Sequence, residues 1–246
     1  MQGKGDQPQQ PRTLRRAAAG LRHSRAPKAV HGDSPDNSVS LRISPFNLFE
    51  IVYHRRMENR SPQPAKILVL YYSEKGHTQA MAELVADGAR SVSDTEVRLK
   101  TVVEATADDL LWCDGIAVGS PTHMGTIAWE MKRWWDVVAQ PLWYEIEGKI
   151  GCAFSSTGGM GGGGELTCLA LQIVLMNYGL LVFGVPDYVA PGQTLHYGAT
   201  CAGKPRNPGE SEACRRLGRR LTEWTQTMIC HRPEHDPRRA SYKRLF

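Results

Sequence analysis

The chain has 246 residues, of which 41% are hydrophobic, so it is long enough to form one domain with a sizeable core. No apolar run approaches the length that spans a bilayer, and the beginning of the chain lacks the apolar core of a secretory signal. The six cysteines are scattered without the spacing of metal ligands. We therefore expect a soluble, cytoplasmic protein with reduced thiols and no metal site.

The formal net charge of +5 belongs to the first quarter of the chain. Residues 1–64 contain 11 Lys and Arg against five Asp and Glu, whereas residues 65–246 contain 19 against 20. The first segment is rich in Arg, Pro, Gln and Ser and has little apolar periodicity, so we expect a disordered basic extension. A solvated tail is favoured there over nucleic-acid binding. Alternatively, Met57 is the natural start and residues 1–56 come from an over-extended reading frame.

The remainder is expected to form one domain over residues 65–230, followed by a basic tail over 231–246. Strands and helices alternate along it, which predicts an α/β protein with a doubly wound parallel sheet. The predicted strands begin at residue 67, lie around Val97 and Leu99 at the sheet edge, and span 115–120, 150–156 and 180–185. The predicted helices span 78–90, 108–112, 127–139, 165–178 and 210–228.

The first strand ends in a short loop, Ser73-Glu74-Lys75-Gly76-His77-Thr78, from which a helix begins. Hydroxyl groups, a flexible glycine and the free N–H groups of a helix N-terminus suit a phosphate group. The loop is neither a Walker A sequence nor a Gly-x-Gly-x-x-Gly fingerprint. Taken alone, it fits an ordinary strand-to-helix turn equally well, and Lys75 fits either a phosphate contact or a surface lysine.

Two further loops follow buried strands and are also rich in Gly, Ser and Thr. Pro121-Thr122-His123-Met124-Gly125 follows the third predicted strand, and a glycine run from Thr157 to Gly164 follows the fourth. Ligands of open parallel sheets lie beyond the carboxyl ends of the strands. Three such loops therefore predict one shared binding site, whereas a single glycine run would indicate only a flexible connection.

Together these loops resemble the flavin-binding loops of flavodoxin-like FMN proteins, with WrbA-like NAD(P)H:quinone oxidoreductases the nearest match. Tyr197-Gly198-Ala199-Thr200 is also similar to a motif of that family, and the resemblance covers about residues 65–230. It implies a flavodoxin-like five-stranded sheet of order 2-1-3-4-5, with crossovers that bring the loops to one edge. It also implies a homo-oligomer, either a dimer or a tetramer.

The resemblance implies bound FMN, which takes a hydride from NADH or NADPH and passes it to a quinone in a ping-pong scheme. No separate acid–base pair or nucleophile is required. Trp143 is expected near the substrate, where it would either stack on a planar quinone or pack a loop onto the core. The FMN-binding residues implied are Ser73, Glu74, Lys75, Gly76, His77, Thr78, Pro121, Thr122, His123, Met124, Gly125, Ser156, Thr157, Gly158, Gly159, Met160 and Gly161.

The sequence departs from the family pattern at several positions. Asn177 stands where a histidine late in the fourth helix faces the flavin, and an amide cannot become cationic as histidine can. Met124 replaces an aromatic residue and His123 replaces an arginine. The segment between the second and third strands is short and lacks the insertion that helps the family to assemble.

Three functions remain open from the sequence. The first is an FMN-dependent NAD(P)H:quinone oxidoreductase. The second is a flavodoxin-type electron carrier, although such carriers are usually strongly acidic and residues 65–246 are nearly neutral. The third is a non-catalytic FMN-binding regulatory protein, which the changes at Asn177 and Met124 favour.

Overall fold

The computed structural model describes residues 63–239. The predictions for residues 1–62 and 240–246, including the alternative start at Met57, lie outside these residues. The helices are α1 (His77–Arg90), α2 (Ala107–Trp112), α3 (Trp129–Trp134), α4 (Gly164–Asn177) and α5 (Pro208–Met228). The strands are β1 (Ala65–Tyr71), β2 (Thr95–Thr101), β3 (Gly115–His123), β4 (Thr126–Ile127), β5 (Ile150–Thr157), β6 (Leu181–Val182), β7 (Val185–Ala190), β8 (Gln193–Leu195) and β9 (Ala199–Ala202).

The central sheet runs β2-β1-β3-β5, with all neighbouring strands parallel. The strands with continuous apolar runs, β1, β3 and β5, lie inside the sheet, where both faces are covered. The alternating strand β2 lies at the edge, as the sequence predicted. This order confirms the flavodoxin-like doubly wound architecture.

The fifth position of the sheet differs from the predicted strand at 180–185. Only β6 pairs there with the start of β5, at Ile150 and Gly151. The chain then leaves the sheet as the β7–β8 hairpin and returns as β9, which pairs with the end of β5. The residues on either side of the β7–β8 hairpin are in contact, since a Cβ atom on Gly184 would lie 2.6 Å from the His196 carbonyl oxygen. The fifth strand is therefore split in two.

Helices α1 and α5 cover one face of the sheet and approach each other closely at two glycines. A Cβ atom on Gly88 would overlap the backbone carbonyl of Arg215, and one on Gly218 would overlap that of Val85. Any larger residue would force the helices apart. This contact fixes α1, and therefore also the loop from which α1 begins.

On the other face, the helix predicted at 127–139 is α-helical only through Trp134 and continues as a π-helix, Trp135–Ala139. Trp134 and Trp135 are both buried, with ring centroids 5.3 Å apart. Adjacent side chains of an α-helix point about 100° apart, so the wider π turn lets both indoles face the core. The two tryptophans are thus core residues.

Residues 63–239 contain no helix that is both long and apolar enough to cross a membrane.

A buried carboxylate ties the edge strand β2 to α2. The oxygens of Asp109 lie 2.9 Å from an Arg98 guanidinium nitrogen and 2.8 Å from Lys100 Nζ. The Thr106 backbone N–H donates to the same carboxylate at 3.0 Å. Burial alone would raise the pKa of Asp109, but the hydrogen bonds from Lys100, Thr106 and Arg98 outweigh it and lower the pKa to about 2.

Asp109→Asn should therefore lower the free energy of unfolding at neutral pH by about 2 kcal/mol. Because the pKa is depressed in the folded state, the stabilisation is fully present above the ordinary carboxyl pKa and is lost as the pH falls toward 2. In urea unfolding, the difference between wild type and variant should shrink below about pH 4. A difference that stays constant over that range would contradict this assignment.

Candidate functional site

Three loops leave the same edge of the sheet, because β1, β3 and β5 are parallel neighbours. In the register of the sheet, Tyr71 of β1 is paired with Gly119 of β3, and Pro121 of β3 is paired with Ser156 of β5. The loops are residues 72–76, the Met124-Gly125 turn and residues 158–163. The expected convergence is therefore present.

A network of hydroxyl groups joins the bases of these loops. The Thr78 and Ser156 hydroxyl oxygens lie 2.9 Å apart and are buried. The Thr122 hydroxyl lies 3.1 Å from that of Ser155 and 2.8 Å from that of Thr167. These side chains belong to α1, β3, β5 and α4, so the network fixes the loops relative to one another before any ligand binds.

Between the loops lies a cavity of about 330 Å³, which we call the phosphate cradle. The Ser73 Oγ atom is buried here and has no hydrogen-bond partner among residues 63–239. Gly76 caps α1 with a left-handed φ of 76° and offers no side-chain cap to its free N–H groups. The cradle is lined by Ser73, Glu74, Lys75, His77, Thr78, Pro121, Thr122, His123, Ser156, Thr157 and Gly158.

These groups fit a phosphate. A buried hydroxyl without a partner costs free energy unless a ligand satisfies it, and a phosphate oxygen would accept its hydrogen bond. The N–H groups at the start of α1 would donate to the same anion. Lys75 lines the cradle and adds a positive charge. The loop at 73–78 therefore has the chemistry that an FMN phosphate requires.

The second loop is a tight β3–β4 turn with backbone strain. Met124 and Gly125 both have positive φ, 47° and 86°, as in the two-residue turns that connect twisted hairpins. A methionine in this conformation costs about 1–2 kcal/mol. Its side chain is fully exposed, so packing within one copy of the chain does not offset the strain. Such strain is characteristic of binding sites.

The first two loops also contact each other at the edge of the cradle. His123 Nε2 lies 3.5 Å from a Glu74 carboxylate oxygen, and its ring stands edge-on to Tyr72 at 6.2 Å. The Tyr72 hydroxyl donates to Glu130 Oε1 at 2.8 Å. This hydrogen bond and desolvation raise the pKa of Tyr72 to about 12, so its phenol stays protonated at neutral pH. The departure at His123 thus creates a contact between loops.

A larger cavity of about 570 Å³ lies on the other side of the third loop, and Thr157 lines both cavities. One wall is formed by the glycine-rich third loop and the start of α4, which the sequence analysis singled out. The opposite wall comes from β8 and β9, and the sequence did not predict it because the β7–β8 hairpin and the split of the fifth strand were not foreseen. The similarity at Tyr197 and Thr200 was the available signal. It is lined by Thr157, Gly159, Met160, Gly161, Gly162, Gly163, Gly164, Glu165, Leu166, Leu169, Gly192, Gln193, Thr194, Tyr197, Thr200, Cys201, Ala202 and Glu210.

The predicted site residues are thus divided among several places. Gly159, Met160 and Gly161 line the larger cavity, whereas Gly76, Met124 and Gly125 shape the adjoining turns without lining either cavity. Met160 is exposed at the rim. The other FMN-binding residues expected from the resemblance line the phosphate cradle.

Two residues expected near the substrate are not brought to the loops. Asn177 ends α4, a helix about 21 Å long that begins at the third loop. Trp143 contacts Tyr178, with ring centroids 5.0 Å apart, at the same far end of that helix. In this chain Trp143 therefore packs beside the core, and neither residue lines the phosphate cradle or the larger cavity.

The parallel sheet and the cradle formed by three loops define a flavodoxin-like FMN protein. Residues 65–194 match the family model described as NADPH-dependent FMN reductase, and the chain belongs to this family. The resemblance seen in the loop motifs is thereby confirmed.

Similar proteins carry two kinds of name. A protein of Aquifex aeolicus named "Flavodoxin" is 60% identical over 169 residues, which are 69% of this chain and 91% of that protein. A protein of Chromohalobacter salexigens named "NAD(P)H dehydrogenase (quinone)" is 36% identical over 182 residues, 60% of this chain and 90% of that protein. The crystal structure of a flavodoxin, WrbA-like protein from Agrobacterium tumefaciens has a TM-score of 0.53 and 24% identity. It covers 67% of this chain and 99% of that one, and supports the fold.

Proposed function

We propose that the protein is an FMN-dependent NAD(P)H:quinone oxidoreductase. The observation that carries the FMN-binding part of the proposal is the buried, unpartnered Ser73 hydroxyl in a cradle that already has the donors for a phosphate. The relative named NAD(P)H dehydrogenase (quinone) supports the reaction, and the family supports the cofactor. Bound FMN would supply the redox chemistry, so the residues need only bind, orient and shield it.

The chain's own groups have separate tasks in this proposal. Ser73 and the N–H groups at the start of α1 hold the phosphate. The buried hydroxyl pair Thr78–Ser156 keeps the first loop against β5. The Met124-Gly125 turn and the glycine-rich third loop would flank the flavin ring. None of these tasks requires a nucleophile.

The direct test is anaerobic reduction of the FMN-loaded protein. Addition of NADH or NADPH should bleach the flavin absorbance, and a benzoquinone should restore it. Free FMN at the same concentration is the control for reduction without the protein. Bound FMN that neither nucleotide bleaches would refute the oxidoreductase proposal.

An electron carrier is the second candidate, because the relative with 60% identity is named flavodoxin. A carrier would bind FMN in the same cradle but would exchange electrons with protein partners. The nearly neutral charge of residues 65–246 gives little electrostatic guidance for such docking. Retention of FMN without reduction by either nucleotide is the outcome that favours this candidate.

A further inference from the structure

The larger cavity adjoins the phosphate cradle and has its own chemistry. We propose that it holds the adenosine half of the electron donor, and that its charge selects NADH over NADPH. The inference rests on the proposed oxidoreductase function, since it identifies the donor for that reaction. It differs from what the family description implies, because that description specifies NADPH.

The position of the cavity suits a molecule that must also reach the flavin. The third loop is the common wall, and Thr157 faces both cavities. Thr157 is held in place, since its hydroxyl donates to the Gly159 carbonyl at 2.7 Å and its carbonyl accepts from the Gly203 N–H at 2.8 Å. A ligand in the larger cavity therefore lies one loop away from the cradle.

The lining of the cavity suits a nucleoside. Its volume of about 570 Å³ lies within the usual range for small-ligand sites. Tyr197, Met160 and Leu166 present apolar surface to solvent on its walls, against which a purine ring could stack. Gln193 and Thr194 supply an amide and a hydroxyl, which can both donate to and accept from the polar edge of a base.

The charge of the lining distinguishes the two nicotinamide dinucleotides. Glu165 and Glu210 are the only charged residues among those that line the cavity. A carboxylate accepts hydrogen bonds from the ribose hydroxyls of NADH, whereas the 2′-phosphate of NADPH requires a cation such as arginine. A carboxylate without a neutralising cation would instead repel that phosphate. The available carboxylate is that of Glu165, which is exposed in the first turn of α4.

The nearby cations do not reverse this charge. The Arg206 guanidinium lies 3.3 Å from Glu210 Oε1, and the Arg206 backbone N–H donates to Glu210 Oε2 at 2.7 Å. Arg206 is therefore engaged with the carboxylate that it neutralises. Lys204 is exposed in the same loop, and neither cation lines the cavity. A 2′-phosphate would thus meet Glu165 without a facing cation.

The test compares ADP-ribose with 2′-phospho-ADP-ribose by calorimetry on the FMN-loaded protein. These probes carry the adenosine half without the nicotinamide, so binding is measured apart from turnover. ADP-ribose should bind at least about tenfold more tightly, which corresponds to about 1.4 kcal/mol. Glu165→Gln should narrow this ratio and Glu165→Lys should reverse it. Glu83→Lys makes the same charge change on the exposed face of α1, away from both cavities, and should leave the ratio unchanged.

The inference is overturned if 2′-phospho-ADP-ribose binds as well as ADP-ribose, if neither probe binds, or if Glu165→Lys behaves like Glu83→Lys. It is also overturned if 2′-phospho-ADP-ribose binds more tightly than ADP-ribose and this preference disappears in Lys204→Gln. Lys204 would then bind the 2′-phosphate. The proposed function is judged separately by bleaching of the flavin. Equal bleaching by NADH and NADPH together with equal binding of the probes would leave the oxidoreductase standing and refute this inference alone.

Discussion

Ser73→Ala should weaken FMN binding by about tenfold or more, yet leave the flavin-free protein as stable as wild type or slightly more stable. The reason is that the Ser73 Oγ atom is buried without a partner among residues 63–239, so alanine breaks no hydrogen bond within these residues and avoids an unsatisfied buried hydroxyl. The same hydroxyl would donate to the FMN phosphate, so its removal costs the complex a charge-assisted hydrogen bond. Stability and affinity should therefore not fall together.

Ser91→Ala is the matched control. The Ser91 hydroxyl donates to the Gly88 carbonyl at 2.7 Å and lies away from both cavities. Its removal should lower the free energy of unfolding by about 1 kcal/mol and leave FMN affinity unchanged. Urea unfolding of the flavin-free proteins and titration of FMN by fluorescence quenching give the two quantities. Unchanged FMN affinity in Ser73→Ala would remove this residue from the phosphate site.

Gly76→Ala should also weaken FMN binding severely, but here flavin-free stability should fall as well. Gly76 has a φ of 76°, and forcing an alanine into that conformation costs about 1–2 kcal/mol. A Cβ atom there meets nothing within 4 Å, so the effect comes from the backbone and not from a clash. Relaxation of φ would turn the N–H groups at the start of α1 away from the phosphate.

Gly148→Ala is the control for the effect of backbone strain on stability, because the same substitution is made outside the proposed FMN site. Gly148 has a φ of 81°, also has open space around its Cβ position, and lies outside both cavities. The two variants should lose similar unfolding free energy, and only Gly76→Ala should lose FMN affinity. If both variants retain wild-type affinity, the loop at 73–78 does not bind the phosphate.

The sequence was sufficient to predict the features that have local causes. Strands such as β1 and β5 can be recognised because burial on both faces favours continuous apolar runs, here residues 67–71 and 150–154. The loop at 73–78 can be recognised because glycine and hydroxyl residues concentrate where a strand ends and a helix begins. Because the strands are parallel, the three loops that follow them are expected at the same edge of the sheet, even before any distance is known.

The features that were missed depend on contacts between distant segments. The π turn after Trp134 and the split of the fifth strand leave apolar patterns that look continuous in sequence. The contact between Glu74 and His123 joins residues 49 positions apart, and each side chain alone resembles an ordinary surface residue. Asn177 ends α4 and lines neither cavity, so its expected place near the substrate stays a prediction.

Comparison of FMN with riboflavin tests the central claim most directly, because the two ligands differ only by the phosphate. If the loop at 73–78 is a phosphate cradle, the protein should bind FMN roughly a hundredfold more tightly than riboflavin, since several charge-assisted hydrogen bonds would be lost. Fluorescence titration of both flavins under the same salt conditions measures this ratio. Equal affinity for riboflavin and FMN would contradict the account.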